Sequence, residues 1–163
     1  RLLDRTEEGD AVRRTVGQEF SERMKREWRT LGVHLGYRYE GSPVCMADGT
    51  APPTDDTAVY IQTARPGSRA PHVWMAEGRS TLDLFGRSFT LLVLGGDPPD
   101  PAPLATAAQR CKMPLEVVRI SDTAVAEAYE RSLVLVRPDG HVAWRGDVPP
   151  DQAGDLIDLV RGA

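Results

Sequence analysis

Two cysteines, three histidines and one pair of closely spaced arginines are the residues of this chain best suited to chemistry. Cys45 and Cys111 lie 66 positions apart, and neither belongs to a Cys-x-x-Cys pair. His34, His72 and His141 are equally scattered, so no Cys/His cluster has the spacing of a zinc site. The two thiols read as idle or buried groups of a reducing, cytoplasmic compartment. The arginines are more informative. Arg65 and Arg69 stand four apart in RPGSRAPHVWM, residues 65–75. Pro66 and Gly67 keep that backbone out of a helix, and Pro71 fixes it again before His72. Two guanidiniums on a stiff turn suit carboxylates, backbone carbonyls or a phosphate. One reading is a rigid turn anchored by ion pairs or carbonyl contacts. The other is an interdomain or binding turn made of Arg65, Gly67, Arg69, Pro71, His72 and Trp74. No residue is assigned a catalytic, cofactor-binding or metal-binding role.

These residues need elements to hold them. Residues 10–30 read as an amphipathic helix in which Val12, Val16, Phe20, Met24 and Trp28 form one drifting stripe. Such a stripe must dock on the rest of the chain or on a partner, and a homodimer through this helix would bury it. Gly32 and Gly36 bracket a short apolar piece. Tyr37, Arg38 and Tyr39 look extended, with both tyrosines on one face. Residues 47–57 are a polar loop, and residues 58–61 a short extended stretch.

From Ser80 onward the signals sharpen. Residues 80–84 predict a capped turn before Gly86. FTLLVL (89–94), LEVVRI (115–120) and LVLV (133–136) predict strands, the first buried on both faces. Arg137-Pro138-Asp139-Gly140 is a turn that leads into a fourth strand at 142–144. Helices are expected at 104–112, 124–129 and 149–160. The order β-α-β-α-β-β-α is the layout of the thioredoxin fold, an α/β class, here preceded by an amphipathic helix and an extended linker. The expected divisions are a helical segment at 1–31, a linker with the RPGSRAPH turn at 32–79, and a thioredoxin-like domain at 80–163.

Thioredoxin chemistry needs two thiols at the first helix N-terminus, where the helix dipole lowers a thiol pKa. Here that place holds Gly95–Pro103, with Asp97 and Asp100 opposing a thiolate. Cys111 falls near the other end of the helix. Thiol–disulfide exchange is therefore disfavoured. The formal net charge of −4 excludes a generally basic, nucleic-acid-tracking surface. No apolar run approaches the ~20 residues that cross a bilayer. The chain opens on Arg1, not Met, so a fragment, a trimmed piece or a processed product is expected.

Taken in order, LGYRYEGSPV (35–44), RPGSRAPHVWM, DLFG (83–86), FTLL and LVLVRPDGHVAWRG (133–146) resemble one family. It is the C-terminal portion of the FAD-dependent aromatic hydroxylases, the class A flavoprotein monooxygenases. The branch includes phenol hydroxylase-like enzymes and hydroxylases of polyketide pathways. The resemblance implies an upstream FAD domain and a substrate domain as partners, followed by a thioredoxin-like domain without redox cysteines. It implies FAD and NAD(P)H for the parent enzyme and ring hydroxylation as its reaction. This chain departs from that whole in one respect. It has no Gly-x-Gly-x-x-Gly after a strand, and Gly95-Gly96 runs into prolines. The function expected is an accessory, structural domain of such a hydroxylase. The alternatives are a stand-alone protein-interaction or small-ligand-binding module and, less favoured, a thiol redox protein.

Overall fold

A computed structural model describes residues 2–163; Arg1 lies outside the described residues. The chain divides into two units. The first runs to Leu35 and takes in Asp55–Tyr60, and the second comprises Gly36–Thr54 and Ile61–Ala163.

In the first unit, helix α1 spans Glu7–Trp28. It starts three residues before the expected boundary because Thr6 caps it, its side chain accepting from the Gly9 N–H at 3.1 Å. Glu7, Glu8 and Asp10 then place negative charge on the positive end of the helix dipole. The apolar stripe is only partly covered, with Val12 and Met24 half-buried. Val16 is 44% exposed, Phe20 62% and Trp28 79%. The piece between the glycines is a second short helix, α2, at Leu31–Gly36. Its Gly32 N–H donates to the Thr57 carbonyl at 3.2 Å. A Cβ on Gly32 would lie 1.7 Å from the Asp56 carbonyl oxygen, so only glycine permits this approach. The stretch at 58–61 joins no ladder, and Val59 is exposed.

The second unit is built on a four-stranded mixed sheet. Strand β1 is Phe89–Leu94, followed by α3 (Ala102–Arg110), β2 (Leu115–Ile120), α4 (Thr123–Tyr129), β3 (Leu133–Val136), β4 (Val142–Gly146) and α5 (Ala153–Arg161). The first three strands fall on the expected residues, and the last runs two residues further. The spatial order is β2-β1-β3-β4. Strand β1 pairs parallel with β2 and antiparallel with β3, and β3 pairs antiparallel with β4. The architecture is mixed α/β, as the sequence predicts.

Period-two alternation sends side chains to two cores. On one face Leu91, Val93, Leu133 and Leu135 pack with Leu104, Ala108, Leu156, Ile157 and Val160 of α3 and α5. On the other, Leu92, Leu94, Val134 and Val136 pack with Val125 and Tyr129 of α4 and with Ala64 and Ala70. Strand β2 lies at the sheet edge and is only partly covered, with Val117 41% exposed. Of the linker read at 32–79, the parts in this unit, 36–54 and 61–79, carry no strand of the sheet. They include side chains of the second core, Val73 and Met75 among them.

Helix α3 ends in a tight reversal. The Lys112 N–H donates to Gln109 O at 3.0 Å and the Met113 N–H to Ala108 O at 2.9 Å, and Lys112 takes φ 54° to do so. This is the left-handed position that glycine normally fills. Lys112→Gly is accordingly expected to stabilise the chain by about 0.5–1 kcal/mol in urea unfolding, because it removes the Cβ clash at that φ. A loss of stability would mean that the exposed Lys112 side chain makes a contact worth more than the strain.

Candidate functional site

The arginine turn lies along the start of β4. The Gly67 N–H donates to Val142 O at 2.7 Å, and the Val142 N–H donates back to Ser68 O at 2.9 Å. Arg69 sits opposite His141, and the Ala70 N–H reaches Gly140 O at 2.9 Å. On its other side the turn meets the tyrosine segment, where Gly67 O accepts from the Tyr39 N–H at 2.9 Å. Gly67 has φ 88°, and a Cβ there would stand 2.9 Å from the Tyr39 carbonyl oxygen. Both the backbone angle and the approach demand glycine.

The two arginines part company here. Arg65 is consumed internally. Its Nε donates to the Thr50 carbonyl at 2.8 Å, and its two terminal nitrogens fork onto Glu40 at 2.5 and 3.2 Å. Hydrogen bonding to Arg65 holds the Glu40 carboxyl below the usual carboxylate range. Arg69 is half-buried and has no hydrogen bond or ion pair among the described residues. Pro71 is buried, and its carbonyl accepts from Thr81 Oγ1 at 2.7 Å and from the Tyr129 hydroxyl at 2.8 Å. The His72 N–H donates to Gln62 Oε1 at 2.6 Å. The His72 ring stands edge-on to Trp74 with centroids 4.9 Å apart, and Trp74 is 67% exposed. Of the residues singled out in the sequence, Arg65, Gly67 and Pro71 hold the turn, while Arg69, His72 and Trp74 reach its surface.

Sequence reasoning singled out neither His141 nor Arg145 as part of this site. His141 is 1% exposed, with Tyr37 and Tyr39 packed against it, tilted by 45° and 49°, at centroid distances of 5.1 and 4.6 Å. The shared face expected for the two tyrosines is what makes this possible. Burial pushes the His141 pKa down against the pull of Asp139, so the ring is neutral at neutral pH. Arg145 is also buried, 5% exposed. Its Nε donates to Asp48 at 2.7 Å, one terminal nitrogen donates to Glu130 at 2.7 Å, and the other reaches Thr50 Oγ1 at 3.4 Å. Burial tends to raise the Asp48 pKa, but bonds from Thr50 and Arg145 outweigh it and lower it to about 2. The Asp48-Gly49-Thr50 turn carries a local signal for a loop, but nothing local links it to Arg145.

Neither thiol is set up for exchange. Cys111 caps the C-terminal end of α3, its sulfur 3.5 Å from Asp158 Oδ1. Cys45 is half-buried, and burial pushes its thiol pKa up. The strand-to-helix turn after β1 does not fit a flavin pyrophosphate. The Ala102 N–H at the start of α3 is already taken by the Asp100 carboxylate at 3.0 Å, and Pro101 and Pro103 offer no N–H. The groove of about 810 Å³ beside α3 and α5 sets Asp100, Asp151, Asp155 and Asp158 against the single cation Arg110, an acidic excess that disfavours a phosphate. Among the described residues there is no group of three or more His, Cys, Asp or Glu placed to hold a metal ion. No described helix is long and apolar enough to cross a membrane.

Comparison with known proteins supplies the context. Residues 63–162 match the family described as "Aromatic-ring hydroxylase, C-terminal". An FAD-dependent monooxygenase of Emericella nidulans is 38% identical over 126 residues, covering 73% of this chain and 20% of the relative. A tetracenomycin A2 monooxygenase-dioxygenase of Streptomyces glaucescens is 36% identical over 166 residues, covering 89% and 28%. Among solved structures, the rebeccamycin biosynthetic enzyme RebC with reduced flavin superposes with a TM-score of 0.86 at 39% identity, over 99% of this chain and 30% of that one. The chain thus spans between a fifth and a third of the length of these relatives.

Proposed function

The chain belongs to the family of aromatic-ring hydroxylase C-terminal domains, and from that premise we propose that it is the accessory C-terminal domain of an FAD- and NAD(P)H-dependent aromatic-ring monooxygenase, supplying no catalytic group of its own. The observation that carries this reading is a mismatch between family and chemistry. Residues 63–162 match a hydroxylase family, yet the turn after β1 presents a carboxylate and prolines where a flavin would need free N–H groups. The flavin therefore belongs to polypeptide outside this chain, and no step of hydroxylation is routed through its residues. FAD is inferred from relatives described as FAD-dependent, with flavin present in the RebC structure.

In this reading residues 1–31 are the tail of a preceding domain, residues 32–79 carry the RPGSRAPH turn, and residues 80–163 form a thioredoxin-like body without a Cys-x-x-Cys pair. The flavin-binding and substrate domains of the parent are its partners. The partly open stripe of α1, with Phe20 and Trp28 exposed, is read as a face covered by the parent polypeptide or by a second copy of the chain. The free thiols Cys45 and Cys111 agree with a reducing cytoplasm.

An intact mass and a visible spectrum of the protein from its native source test this directly. A mass well above 17.9 kDa with flavin absorbance is expected. A colourless protein of about 17.9 kDa would sink the reading and turn attention to a free-standing binding module.

A further inference from the structure

Arg65 and Arg69 share one turn, but only Arg65 finds its partners within the chain. We propose that Arg69 is the docking cation of this domain, and that its guanidinium pairs with a carboxylate side chain on the remainder of the parent hydroxylase polypeptide. This rests on the accessory-domain reading and deepens it by naming a residue and the chemistry of its partner.

Three observations support the assignment. Arg69 is half-buried yet makes no hydrogen bond or ion pair among the described residues. A guanidinium stays charged and carries five donors, so partial burial without an acceptor is a standing cost. The hairpin opposite it offers no uncommitted carboxylate. His141, opposite it, is buried and kept neutral. Asp139, two residues along the hairpin, is spent on Arg137 at 3.0 and 3.2 Å and on the His141 N–H at 3.2 Å. The chain has an acidic excess of four charges, but none of its carboxylates pairs with this cation among the described residues. Finally, the chain spans only 20–30% of its relatives, so the complementary carboxylate has a place to reside in the portion this chain does not match.

The test labels arginines with p-hydroxyphenylglyoxal and follows each by peptide mass spectrometry. The 163-residue chain and the protein isolated from its native source are compared. The exposed Arg87 and Arg119 serve as internal references. Arg69 is expected to react in the chain alone and to be several-fold protected in the longer protein. In the longer protein Arg69→Ala is expected to speed limited proteolysis between this domain and the remainder several-fold, with Arg69→Lys intermediate. The melting transition of the chain alone should not move with Arg69→Ala.

Equal labelling of Arg69 in both samples overturns the proposal while leaving the accessory reading intact. Loss of folding in the chain alone on Arg69→Ala also overturns it, by making Arg69 an internal anchor. Protection of the chain alone by inorganic phosphate or benzoate overturns it in favour of a small-anion site. An intact mass near 17.9 kDa removes the parent polypeptide, and the accessory reading and the docking proposal fall together.

Discussion

Arg145→Ala is expected to destabilise the chain by about 3–5 kcal/mol, the range for removing one partner of a buried ion pair. The side chain of Arg145 is 2% exposed and that of Asp48 15%, so water cannot replace the lost partner well. Glu130 is about half exposed and adds less. Arg145→Met keeps the apolar stem and should lose somewhat less, and adding Asp48→Asn to it should recover part of the loss. The effect depends on pH in a defined direction. The folded Asp48 pKa, about 2, lies below its ordinary 3.8. Asp48 therefore contributes stability that is fully present above about pH 4 and is lost as pH falls through about 2. Without Arg145 the folded pKa moves back toward the ordinary value. The penalty of Arg145→Ala, measured by urea unfolding, should then shrink on acidification across that window. A penalty below about 1 kcal/mol at pH 7 would mean that the network behaves as a solvated surface pair.

Gly67→Ala is expected to cost about 2–3 kcal/mol, part from forcing an alanine to φ 88° and part from its Cβ meeting the Tyr39 carbonyl 2.9 Å away. Gly41→Ala separates the two causes. Gly41 has φ 63° but nothing within 4 Å of a Cβ, so it should cost only about 1–2 kcal/mol, the backbone term alone. Because the Gly67 N–H and carbonyl join β4 to the tyrosine segment, the loss should also loosen the packing of Tyr37 and Tyr39 on His141. Near-ultraviolet circular dichroism would show this as a weaker tyrosine signal. Equal penalties at the two glycines would mean that the close approach to Tyr39 carries no weight.

Strands β1, β2 and β3 fall on residues 89–94, 115–120 and 133–136, as their apolar runs predict. The helix boundaries move by a few residues: the Thr6 cap starts α1 at Glu7 and not at residue 10, and α5 begins at Ala153, four residues after the expected start at Pro149. The family resemblance was legible because its motifs occur in order along the chain, and the match over residues 63–162 agrees with it. Residues 36–54 and 61–79 carry little local signal apart from the turn at Gly67. Beyond the Tyr37–Tyr39 alternation they have no sustained periodicity, and their order comes from side chains far away in sequence. Arg145 reaches Asp48 across 97 positions, and Arg65 reaches Glu40 across 25.

By itself, then, the sequence determined the strands, most helices, the turn at Gly67 and the absence of a thiol pair at the first helix of the sheet. Each of these follows from the propensity, spacing or chirality of near neighbours along the chain. Only the tertiary structure decided which arginine is spent and which is left over. Arg65 and Arg69 are the same residue type on the same turn, and no local rule separates them. Glu40 and the Thr50 carbonyl come to lie across from Arg65, while neutral His141 lies across from Arg69. The fate of a charge depends on what stands opposite it in space, and that is set by how distant segments pack.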